Sequence, residues 1–203
     1  MFYRAEDHHG MKHNPFKALV APRPIGWIST RSSDGVFNLA PFSYFNAVTD
    51  FPPTVVFGCN GPHPEGGVKD TAANARDTGE FVVNMCTYDL RNEMNISSAH
   101  IPRSDDEFKA AGLTAVDCEL VNVPRVKESP VNLECRLIQV VQLRSSNPKI
   151  TNNLVIGEVV GVHIDERIIR DGMIDMAAYR PLARLGYMDY TSVTETFSMD
   201  RPD

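Results

Sequence analysis

The chain has no basic excess. Its 203 residues carry 20 Lys and Arg against 26 Asp and Glu, a formal net charge of −6. Nucleic acid as the main partner needs a basic footprint for its phosphates, and this balance argues against one. A local basic pocket for one small anion remains compatible with it. No apolar run approaches the roughly 20 residues of a membrane span, so no membrane partner is expected. The N-terminus, "MFYRAEDHHGMKHNPF", lacks the apolar stretch of a signal peptide. The four cysteines, Cys59, Cys86, Cys118 and Cys135, show no Cys-x-x-Cys spacing. Reduced, mostly buried thiols in a cytoplasmic protein are the expectation. Also missing are Gly-x-Gly-x-x-Gly, a Walker loop, His-Glu-x-x-His and Gly-x-Ser-x-Gly.

What is present is core-forming sequence, 42% hydrophobic, enough for one domain over residues 1–203. A polar segment of about 1–14 precedes it and a polar tail of about 191–203 ends it. The organisation is mostly strands. Ile25 to Thr30, a turn with Asp-Gly at its centre in "SSDGV", and the extended "VFNLAPFSYFNAV" (36–48) predict a hairpin. Pro22, Pro24 and Pro41 cannot donate to a sheet ladder and predict an edge, a bulge or an irregular strand start. Further strands are expected at Thr54 to Gly58, 80–87, 131–145 and 153–164. "KDTAANARDTG" (69–79) reads as a short helix, capped by Asp70 or Thr71 and ended by Gly79. Two more helices fit Asp89 to His100 and Asp105 to Ala111. The fold class expected is mainly β, an antiparallel barrel with a few short inserted helices.

Candidate chemistry is sparse. His8, His9 and His13 lie near two carboxylates, but metal binding wants convergent ligands on a rigid frame, and a solvated terminus accounts for them. His163 sits among apolar strand residues, as a satisfied structural histidine does. His63, in "NGPHPEGG", reads as part of a mobile surface loop. Two segments carry more. "WIST" places Ser29 and Thr30 at a strand end beside a turn, and "KDT" places Lys69 next to a helix N-terminus. Free N–H groups, hydroxyls and an ammonium together suit a phosphate. A capped helix with an exposed lysine accounts for the same residues, and Asp70 opposes an anion unless its side chain is otherwise engaged.

"PRPIGWIST" (22–30), "GVFNLAPFSYFNAVTDFPP" (35–53), "KDTAANARDTGEFVVN" (69–84) and "YRPLARLGYMDY" (179–190) occur in that order. Together they resemble the flavin reductase-like, FMN-binding split-barrel family over roughly residues 15–190. The resemblance implies a split β-barrel holding FMN non-covalently at a homodimer interface. Trp27, Ser29, Thr30 and Arg31 would line the flavin and its ribityl chain. Ser43, Asn46, Ala47 and Val48 would face the ring, with Asn46 on its pyrimidine edge. Lys69, Asp70 and Thr71 would lie near the phosphate or ribityl hydroxyls, and Arg184 would be either a further contact or part of a structural ion pair. The implied activity is NADH- or NADPH-dependent flavin reduction; the alternative within the same family is a non-enzymatic electron carrier of the flavoredoxin type. The flavin carries the chemistry, so no catalytic side chain is required. The loop "CNGPHPEGG" (59–67) departs from the family pattern by its length and its Gly and Pro content.

Overall fold

The computed structural model describes residues 1–202; Asp203, the end of the expected tail, lies outside the described residues. Seven strands form one antiparallel sheet: β1 Gly26–Arg31, β2 Phe37–Phe42, β3 Phe45–Asp50, β4 Pro53–Asn60, β5 Glu80–Met85, β6 Val131–Leu143 and β7 Asn152–Ile164. Their order is β2-β1-β5-β6-β7-β4-β3. The helices are short: α1 Phe16–Leu19, α2 Asp70–Thr78, α3 Arg91–Ile96, α4 Glu107–Ala110 and α5 Met176–Tyr179. Among the described residues no helix is long and apolar enough to cross a membrane.

The alternation that predicts the strands also builds the core, because successive side chains leave opposite faces. Ile28, Val55, Phe57, Cys59, Phe81, Val83, Cys135 and Val155 fill the barrel, and α2 adds Ala72 and Ala75 to it. The other face of β1 and β2 carries Trp27 and Leu39 into a second cluster with Met94 of α3 and Phe108 of α4. All four cysteines are free, and only Cys118 is not fully buried.

One expectation is corrected. Residues 36–48 are not a single extended segment. β2 ends at Phe42, the chain bends at Ser43 and Tyr44, and β3 pairs with β4 at the opposite edge of the sheet. The Gly58 N–H donates to the Tyr44 carbonyl at 2.7 Å and fixes the bend. The two sheet edges are thus successive pieces of chain, and side chains close the gap between them. Phe42 packs on Phe57 with ring centroids 5.1 Å apart. The Phe45 ring lies against Gly26, where a Cβ would meet Cδ2 at 2.6 Å, so glycine is what lets the edges approach. This is the split of a split barrel. Phe51 and Pro52 then make the tight link from β3 to β4, with Asp50 opposite Pro53.

A small three-stranded sheet joins Arg23–Pro24, Leu182–Arg184 and Tyr190–Ser192. It brings the motif at residues 179–190 beside the one at 22–30. Residues 1–14 and 193–202 contain no helix or strand.

Candidate functional site

A cleft opens where α2 begins. Its walls are β2, from Asn38 to Phe42, the segment Ser97 to Ile101, Glu107 of α4, and the residues Lys69, Asp70 and Thr71. Gly79 ends α2 in the left-handed region at φ 76°, as expected. The expected capping of its start does not hold. Lys69 occupies the N-cap position, and no side chain there accepts from the first turn. The Lys69 carbonyl takes the N–H groups of Ala72 and Ala73. Among the described residues, the N–H groups of Asp70 and Thr71 therefore have no acceptor, and they stand at the positive end of the helix dipole.

Four side chains lock this helix end to the barrel. Asn38 donates to the hydroxyls of Thr71 (2.9 Å) and Thr30 (3.2 Å), and Asn74 donates to Thr30 at 3.1 Å. Both threonines accept through these bonds. Their own hydroxyl protons have no protein acceptor among the described residues, although both residues are buried. The Lys69 ammonium makes no ion pair among the described residues. Asp70, the residue that would repel an anion, is engaged elsewhere: Arg103 pairs with it, and His63 lies 3.4 Å from its carboxylate. Arg103 also donates to the carbonyls of Gly66 (2.7 Å) and Val68 (3.0 Å). The loop around His63 is exposed at Pro62 and from Pro64 to Gly67, as a surface loop is, but His63 itself turns inward. It is buried, and burial holds its imidazole below the usual range.

The other expected residues lie elsewhere. Trp27 is fully buried on the outer face of β1, where its indole N–H donates to Ser97 Oγ at 2.8 Å. Its bond anchors the Ser97–Ile101 wall from behind. Ser29 is equally buried and donates to the Pro124 carbonyl at 2.6 Å. Arg31 is exposed, over the ring of Phe37. Asn46, Ala47 and Val48 lie on the solvent-exposed edge strand β3, with a register shift between Ala47 and Thr49. Asn46 itself makes no side-chain hydrogen bond among the described residues. Ser43, at the bend, lines a second cleft that shares Pro41 and Ser98 with the first. Arg184 also lines the second cleft, and it makes no ion pair among the described residues. It donates to the Tyr187 carbonyl at 2.5 Å and stacks 4.2 Å from the Tyr190 ring centroid.

Asn38, Asn74, His63, Arg103 and Glu107 enter the site unpredicted. Burial pushes the Glu107 carboxyl up to about 7, against the pull of the Leu39 N–H, which donates to it at 3.1 Å. The unfolded chain ionises this group near 4.5. Between those values the folded state holds the extra proton, so stability falls as pH rises through that window. At about 1.4 kcal/mol per pH unit, the loss between 4.5 and about 7 amounts to roughly 3.5 kcal/mol at most. Glu107→Gln, which keeps an acceptor for Leu39, should therefore gain on the parent between pH 5 and 8 in urea unfolding. A constant difference across that range would refute the assignment.

The described residues contain one grouping of metal-ligand type, Cys118, Glu134 and His163. Glu134 Oε1 accepts from the Glu119 N–H (2.9 Å) and lies 2.5 Å from His163 Nε2, and Oε2 accepts from the Leu120 N–H (2.7 Å). The carboxylate is saturated by the chain itself and clasps the 117–121 loop onto the sheet. His163 is a satisfied histidine with a buried glutamate as its partner.

Comparison with known proteins agrees with this architecture. An uncharacterized protein of Halalkalibacterium halodurans is 39% identical over 183 residues, covering 90% of this chain and 87% of that one. The structure of nitrilotriacetate monooxygenase component B from Bacillus cereus superposes with a TM-score of 0.89 at 30% identity, covering 98% of both chains. The 2-nitrobenzoate 2-nitroreductase NbaA of Pseudomonas fluorescens superposes at 0.79 with 26% identity, over 92% of this chain and 88% of that one. Residues 19–183 match the flavin reductase like domain, and with that match and that barrel the chain belongs to the flavin reductase-like family.

Proposed function

We propose that the chain binds FMN and passes electrons from NADH or NADPH through it, as a cytoplasmic homodimer. The observation that carries this reading is the set of unspent donors at the start of α2. The N–H groups of Asp70 and Thr71, the Thr71 hydroxyl and the Lys69 ammonium belong to three successive residues that line one cleft, while the Asp70 carboxylate is paired with Arg103. Such a donor set fits a phosphate. The cleft holds only about 100 Å³, below the roughly 300 Å³ at which pockets for drug-sized ligands begin. It suits the phosphate end of FMN. The ring would extend past Pro41 toward Ser43 and β3.

On this reading Thr30 and Asn38 set the orientation of Thr71, and Trp27 holds the Ser97–Ile101 wall. Asn46, with the backbone of Ala47 and Val48, would meet the polar edge of the ring, since its amide offers both donor and acceptor. The exposed Val48 and Phe51 would be covered by a second subunit. Bound flavin supplies hydride acceptance and electron transfer. The chain's part is to bind, orient and exclude water.

The test is the visible spectrum of the purified protein, followed by anaerobic mixing with NADH and NADPH. A yellow protein that releases FMN and is bleached at a catalytic rate is the expected result. Retained FMN without bleaching would leave the electron-carrier alternative. A colourless protein that takes up no FMN would sink the proposal.

A further inference from the structure

The second cleft, about 400 Å³, carries an unusual charge pattern for a chain with net charge −6. Lys17, Arg23 and Arg184 line it, and among the described residues no carboxylate does. None of the three makes an ion pair among the described residues. Arg23 is 6% exposed. Its guanidinium clasps backbone carbonyls: Nη1 donates to those of Lys17 and Val20, and Nη2 to that of Leu185 at 2.7 Å. Among the described residues its buried Nε has no partner. A buried cation facing only neutral dipoles is costly, and a buried donor left unpaired adds to the cost. An anion in the cleft would offset the buried charge.

We infer that Lys17, Arg23 and Arg184 form a subsite for the anionic group of a second reactant, a carboxylate or a phosphate. The inference rests on the flavin reading for its place in the reaction, because this cleft meets the first at Pro41 and Ser98. The division of labour follows from burial. Arg23 is fixed by three carbonyls and sets the charge at the back. Lys17 is exposed and has no ion-pair partner among the described residues, which leaves it able to close on the ligand. Arg184 is held flat against Tyr190, which leaves part of its donor fork available. The aromatic rings of Tyr187 and Tyr190 supply an apolar wall for the body of an organic anion.

The experiment uses the full chain, with and without FMN, in calorimetric titrations at low salt. The probes are benzoate for a carboxylate and ADP-ribose for a phosphate. Arg23 is left intact because its clasp holds the fold. Lys17→Gln/Arg184→Gln is compared with the parent and with Arg167→Gln, a cation outside both clefts. At least one probe should bind the parent and the Arg167 variant alike, and bind the double variant at least roughly tenfold more weakly, since charged hydrogen bonds are lost. FMN affinity should be unchanged. The inference is overturned if neither probe binds the parent, or if the double variant binds as well as the parent does. It is also overturned if the double variant loses FMN, because the cations would then serve the flavin's own phosphate. Probe binding that depends on these residues in a protein taking up no flavin would keep the subsite and discard the flavin reading.

Discussion

Phe81→Ala should lower stability by about 3–5 kcal/mol, the range for deleting a buried aromatic ring. Phe81 is fully buried in the barrel, edge-on to Phe57 with centroids 5.4 Å apart. Its ring also lies over Gly157 of β7, where a Cβ would come within 2.3 Å of Cζ. Gly157→Ala therefore overfills a packed site and should cost about 1–3 kcal/mol alone. In the Phe81→Ala background the collision with the ring is gone, the Arg136 carbonyl at 3.3 Å is the tight contact that remains, and the added methyl occupies part of the hole. The second substitution should then cost little, giving a coupling energy of about 1–3 kcal/mol in a denaturant double-mutant cycle. Simple additivity of the two losses would show that the ring does not rest on that glycine.

The strands were legible because each carries its own evidence. Thr54 to Gly58 and 80–87 read as strands from their β-branched and aromatic residues, the second ending two residues early at Met85, and Gly79 marks the end of α2. The bend at Ser43 and Tyr44 was not legible. Pro41 signals an irregularity within residues 36–48 without placing a bend; what breaks the segment at Ser43 and Tyr44 is the Tyr44 carbonyl meeting the Gly58 N–H, together with Phe45 finding Gly26. Both are tertiary contacts. The same holds at the site. Lys69 and Thr71 could be picked out from a helix start, but Glu107 and Arg103 reach the cleft from a segment more than thirty residues further on. The role of Asp70 turned on them: in sequence it opposes an anion, and only Arg103 and His63 remove that objection. Trp27 shows the converse. Its motif pointed to a ligand contact, while strand alternation sends the indole to the outer cluster and Ser97.

Lys69→Ala should weaken FMN binding by about 1.5–3 kcal/mol, roughly 10- to 150-fold, the value of a hydrogen bond to a charged group. The ammonium makes no ion pair among the described residues, so its removal leaves no buried carboxylate without a partner. Half-buried at the N-cap, it contributes no capping acceptor, so α2 should stay intact. The fold is thus expected to be indifferent, with an unchanged unfolding midpoint. Riboflavin supplies the control, since it presents the same ring and ribityl chain without the phosphate. Its affinity should be the same in parent and variant. Thr71→Val should weaken FMN too, by less, because a neutral donor is lost in place of a charge. It should also disturb Asn38, whose amide donates to that hydroxyl at 2.9 Å. Equal FMN affinity in parent and Lys69→Ala, measured by fluorescence quenching of the flavin, would remove the phosphate from this helix end. Equal losses for FMN and riboflavin would place the effect of Lys69 on the ring or the ribityl hydroxyls.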